Sequence, residues 1–95
     1  MKLASPTDFD ILEAFSDGKR NTAVNIALEI DRDRAYINTR LPILADHGLL
    51  ERIGPAPNSG LYEITPRGRA VLKHRQAYRD ESVEFEALVD SELDD

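Results

Sequence analysis

Cysteine is absent from this 95-residue chain, which excludes a disulfide framework and a thiol nucleophile and suits a cytoplasmic location. No apolar run approaches the roughly 18 residues that span a bilayer, and no basic-then-apolar leader opens the chain, so a soluble protein is expected. There are only two histidines, His47 and His74. Nothing pairs either with cysteine at metal-ligand spacing, whereas zinc sites need three or four clustered ligands. His47 instead suits a helix C-terminus, where its ring complements the dipole, and His74 suits a packed or half-exposed helical position. Phosphate loops, nucleophile elbows and dinucleotide-binding glycine patterns are missing too, and Ser59 before Gly60 reads as a turn. Neither enzymatic activity nor a cofactor is expected.

Basic residues stop at Arg79. The net charge of -6 divides into 12 bases against 10 acids over residues 1–79, a balance of +2, and 8 acids without a base over residues 80–95, a balance of -8. Residues 1–79 are long enough for one domain with a modest core, and 80–95 form a separate acidic segment. Arginine outnumbers lysine 9 to 3. Together with abundant acid, this bias resembles proteins of high-salt cytoplasm, hence a halophilic source is expected. Molar salt weakens any contact that works by counterion release, so a nucleic-acid binder there must lean on base edges and shape.

Helical signals begin at Ser5, an N-cap candidate followed by Pro6 at the first helical position and by Asp8 three residues after the cap. Phe9, Ile11, Leu12 and Phe15 give helix 1 a broad apolar face that ends at Gly18. Lys19-Arg20 is a connector where a small first strand is expected, and Asn21 or Thr22 caps helix 2 over residues 23–30. That helix buries Ile26, Ala27 and Ile30 and turns Asn25 and Glu29 outward. The turn of Asp31, Arg32 and Asp33 leads into helix 3, with Asp33 as its N-cap, close enough for a helix-turn-helix. Helix 3, residues 34–47, places Ile37, Leu41 and Leu44 on one stripe. Pro42 lies in its interior, where a kink or local break is expected. That bend is either tolerated on the exposed side or sets how the helix enters a groove.

After Gly48, a C-cap glycine, the runs LLERI and LYEIT flank GPAPNSG and predict a two-strand hairpin. Thr65-Pro66 repeats the cap-plus-proline signal before helix 4, expected over 67–79 with Ala70, Val71, His74, Ala77 and Tyr78 inward. In the acidic segment Val83, Phe85, Leu88, Val89 and Leu93 recur at spacings compatible with an amphipathic helix. It is expected to be partly helical, packing on a partner subunit, or else a disordered, solvated tail.

The phrases NTAVNIALEI, RAYINTRLPILADHGLLERI and SGLYEITPRGRAVL together resemble winged helix-turn-helix transcriptional regulators, in particular small haloarchaeal ones, over roughly residues 5–78. The resemblance implies a mainly α fold with a small β-hairpin (α+β): a three-helix core, a wing and a C-terminal helix. It also implies a homodimer that binds double-stranded DNA, repressor-like, with helix 3 in the major groove. There arginine can donate to guanine and asparagine can pair with adenine. By the same resemblance Arg34, Asn38 and Thr39 are the candidates for base edges, and Tyr36 and Arg40 for the base or phosphate margin. Thr22, Lys19, Arg20 and Arg32 are placed for phosphate contacts. The wing tip lacks a basic residue, which leaves Asn58 and Ser59 to reach a phosphate. The competing expectation is a protein–protein interaction module that uses the acidic segment to bind a basic partner. A third idea has that segment folding over the basic face as an autoinhibitor.

Overall fold

A computed structural model describes residues 1–56, 59–80 and 82–93. The chain order is α1 (Thr7–Ala14), α2 (Ala23–Ile30), α3 (Arg34–Asp46), β1 (Leu50–Ile53), β2 (Leu61–Ile64), α4 (Pro66–Lys73), a 3₁₀ turn (Arg75–Arg79) and α5 (Phe85–Leu93). Phe9, Ile11, Leu12 and Phe15 of the first helical segment meet Ile26, Ile37, Leu41 and Leu44 in one buried cluster, which also takes in Leu49, Val71 and Val89.

The start of α1 differs from expectation. Pro6, not Ser5, occupies the cap position, and no side chain caps the helix there. Asp8 instead turns its carboxylate back, and Oδ2 accepts from the Ala4 amide at 2.7 Å. The arm before α1 is therefore tied down from inside the helix. Leu3 completes the tie, because its amide donates to the Tyr78 hydroxyl at 2.9 Å and its carbonyl accepts from that hydroxyl at 3.2 Å.

Local capping sets the helix-turn-helix. Thr22 caps α2 by accepting from the Asn25 amide, and Asp31 closes the helix in the left-handed region at φ 56°. Asp33 then caps α3 by accepting from the Tyr36 amide at 3.0 Å. Pro42 does not break α3, which runs without interruption from Arg34 to Asp46. The hairpin pairs antiparallel with Leu50 opposite Ile64 and Ile53 opposite Leu61. The expected first strand is reduced to a single bridge in which Asn21 and Tyr62 exchange amide-to-carbonyl bonds of 2.9 Å. It lies one residue beyond Lys19-Arg20 and fastens the α2 N-terminus to the wing.

Helix 4 is shorter than expected. It ends at Lys73, and the 3₁₀ turn that follows swings Tyr78 between Phe9 and Phe85, with ring centroids 5.3 and 5.0 Å away in edge-on geometry. Within the acidic segment Phe85–Leu93 form α5, which folds back on α4 and buries Val89 completely. Its carboxylates find bases of the same chain: Asp90 with Arg67 at 2.5 Å, Glu92 with Lys73 at 2.5 Å and His74 at 3.3 Å, and Glu86 with the amino terminus at 2.7 Å. Core burial thus runs across the expected boundary at residue 80.

Two outcomes follow for α5. Val89→Ala removes two buried methyl-sized groups and is expected to lower stability by about 2 kcal/mol, read from the shift in urea midpoint. Hydrogen bonds to the amino terminus hold the Glu86 pKa below the usual carboxylate range, and those from Lys73 and then His74 do the same for Glu92. Such groups stabilise the fold above their unfolded pKa, and the contribution is lost as pH falls through the folded one. Acid should therefore loosen α5, seen as faster amide exchange around Val89 than in α3.

Candidate nucleic-acid interface

The buried stripe of α3 (Ile37, Leu41 and Leu44) leaves Arg34, Tyr36, Asn38 and Thr39 on the exposed side. Arg34 and Asn38 are four residues apart and therefore stand one above the other on the helix. They share a groove of about 210 Å³ with Thr22, Ala23 and Val24 at the α2 N-terminus and with Gly60 and Tyr62 of the hairpin. Three elements thus converge where the sequence placed the reading face. Gly60, Tyr62 and Val24 are additions to the expected set. The bridge between Asn21 and Tyr62 explains them, since it draws the hairpin base against the α2 cap.

The arginines divide into distinct environments. Arg40, expected at the base or phosphate margin, is turned inward. Its Nε donates to Asp8 Oδ1 at 2.9 Å and its Nη2 to Asp8 Oδ2 at 2.7 Å, a two-pronged pair in which Asp8 is 0% and Arg40 16% exposed. Those hydrogen bonds raise the Arg40 pKa above its ordinary value against the opposing effect of burial. The physical reason is position, because Arg40 stands three residues after Ile37 and next to Leu41, at the edge of the buried stripe. Arg32 is also engaged, donating to Asp10 at 2.8 Å. Arg20 lies 3.6 Å from Glu63 with 61% of its side chain exposed. Arg34 has no carboxylate partner among the described residues.

Small polar groups also separate. The Thr39 hydroxyl donates to the Tyr36 carbonyl at 2.6 Å, which leaves its lone pairs outward. Ser59 does not reach outward, because its hydroxyl donates to the Ile53 carbonyl and accepts from the Leu61 amide, closing the wing base. Asn58 lies outside the described residues. At the hairpin base the Arg52 guanidinium stands 5.9 Å over the Tyr62 ring. No group of carboxylates and histidines among the described residues is arranged to hold a metal ion. No helix among them is long and apolar enough to cross a membrane.

The chain matches no family model and no curated protein. Among solved structures it is similar to the oxidized form of MarR from E. coli, with a TM-score of 0.61 and 25% identity over 83% of this chain. The match takes in 59% of the MarR chain, so this chain spans less than two thirds of that neighbour's length. Five helices and a two-strand antiparallel hairpin in this order make the fold a winged helix, α+β as expected from the sequence.

Proposed function

We propose that this chain is a DNA-binding transcription regulator, repressor-like and homodimeric, which lays α3 in the major groove. The observation that carries the reading is the convergence of Arg34 and Asn38 with the Thr22-capped end of α2 and the hairpin base around one groove. Arginine donates two hydrogen bonds to guanine, and asparagine pairs with adenine, so these two side chains supply base readout. The α2 N-terminus, with Lys19 and Arg20 close by in sequence, supplies phosphate contacts that set register. Tyr36 and Thr39 flank the readers. A single α3 covers only a few base pairs, and a two-fold pair of chains reading two half-sites gives the required length.

Support for DNA over a basic protein partner comes from α5. Glu86, Asp90 and Glu92 already face the amino terminus, Arg67, Lys73 and His74, which leaves the acidic segment less charge to offer another molecule. The same contacts hold α5 against α4. Arg34→Ala and Asn38→Ala are each expected to cost about 1–3 kcal/mol of binding to a preferred duplex, with relaxed base preference at the contacted position. Arg20→Ala should weaken all sequences alike and reduce the salt slope by about 1. Fluorescence anisotropy on matched and mismatched duplexes distinguishes these patterns. Unchanged selectivity in both α3 variants would mean that another element reads the DNA.

A further inference from the structure

Between the arm before α1 and the 3₁₀ turn, a half-open cavity of about 250 Å³ is lined by Ser5, Arg75, Gln76 and Arg79. A water molecule's share of liquid is about 30 Å³, so the space admits a small solute with part of its hydration shell. Every described lining side chain can donate a hydrogen bond, and among the described residues none is a carboxylate. In a 3₁₀ turn, side chains three apart eclipse, which stacks Gln76 and Arg79 along one edge. Ser5 faces them from the arm that Asp8 and Tyr78 tie down. Arg75 has its guanidinium 5.5 Å over the Phe9 ring and one nitrogen donating to Asp10 at 3.0 Å. A guanidinium carries five N–H donors, and Asp10 takes only one of them. Arg79 is barely committed: its one hydrogen-bonded contact among the described residues is a 3.4 Å approach to the Ser5 hydroxyl.

From this geometry we infer that the cavity is a binding site for a small, doubly charged oxyanion, with Arg75 and Arg79 as paired cationic walls and Gln76 and Ser5 as neutral donors. Two guanidiniums converging without a carboxylate between them among the described residues favour an acceptor-only ligand, and planar N–H forks match carboxylate and phosphate oxygens alike. The site has a direct link to the proposed DNA-binding half. Asp10, which holds Arg75 through one oxygen, holds Arg32 in the α2–α3 turn through the other at 2.8 Å. Anion binding itself does not depend on the DNA reading; any effect on DNA does.

The test is a titration of the full chain with inorganic phosphate and, separately, with succinate, followed by amide chemical shifts in chloride-matched buffer. Saturable shifts at Ser5, Gln76 and Arg79, weakened at least tenfold in Arg79→Gln and unchanged in Arg69→Gln, are expected. Saturation by phosphate alone identifies a phosphate-type ligand, and by succinate alone a dicarboxylate. Saturation by both assigns recognition to the charge and oxygens they share. Arg79 is exposed, so its replacement leaves the fold intact. The absence of a saturable response to either anion, or equal binding by Arg79→Gln, overturns the site.

Discussion

Asp8→Ala is expected to cost about 3–5 kcal/mol of stability, a large share of the 5–15 kcal/mol typical of a domain. Asp8 is fully buried, and it accepts from three donors: Arg40 Nε, Arg40 Nη2 and the Ala4 amide. Removing the carboxylate leaves a guanidinium with 16% of its side chain exposed and no counter-charge, and frees the arm before α1. Arg40→Met strands the buried carboxylate and should cost a similar amount. The double variant Asp8→Leu with Arg40→Met should cost less than either single change, because a buried pair replaced by apolar groups of like volume is often nearly neutral. In urea each single loss appears as a midpoint shift on the order of 2 M. Additive losses in the double variant would mean that the two side chains do not act as a pair. The same cycle bears on function, since a double variant that still binds DNA shows Arg40 to be a support and not a contact.

Gly68→Ala is expected to lose about 3 kcal/mol or more, although glycine to alanine inside a helix normally gains about 1 kcal/mol. The reason is space, not backbone conformation. A β-carbon on Gly68 would sit 2.2 Å from the Leu49 carbonyl oxygen and 2.8 Å from Ile64 Cγ1. The Leu49 carbonyl is fixed by the Thr65 amide at 3.1 Å, and Thr65 in turn caps α4 and donates to the Gly48 carbonyl at 2.6 Å. Backbone held on both sides has no rotamer to change, so α4 must move off the hairpin. Calorimetry should show a fall in Tm of more than ten degrees, since about 1 kcal/mol shifts a domain of this size by roughly 4–8 °C. A variant as stable as the parent would mean that the close contact between α4 and the hairpin is absent in solution.

Both predictions fall on contacts that the sequence only half disclosed. Helices α2 and α3 and the hairpin were legible because their signals are local: a threonine or aspartate cap, a buried stripe, a glycine at each turn. Gly48 at φ 80° and the Thr65 cap stand where the motif puts them. Asp8 misled because a carboxylate three residues after a serine resembles a capping box, whereas its charged partner Arg40 lies 32 residues away. Arg40 carried a signal that could have been used: an arginine at the margin of a buried stripe is well placed to reach inward. The ion pairs of the acidic segment were not legible, because its neutralising bases are 18 to 85 residues distant, which no local pattern registers. Of the candidate interface, the exposure of Arg34 and Asn38 on one side of α3 was legible from helical spacing. The hairpin's contribution through Tyr62 and Gly60 was not, because it depends on one bridge to Asn21.

The chain has no cysteine, so thiol oxidation cannot regulate it. With a balance of only +2 over residues 1–79 and no basic residue in the wing-tip sequence, the proposed DNA binding is expected to show a shallow dependence on salt, with discrimination resting on base edges.

Selection from random duplex DNA by the full chain, repeated at rising potassium chloride up to molar concentration, tests the central claim most directly. The account predicts a palindromic motif with two half-sites about one helical turn apart, retained at high salt and degraded in Arg34→Ala and Asn38→Ala. A protein shown to be folded that enriches no sequence at any salt concentration would contradict it.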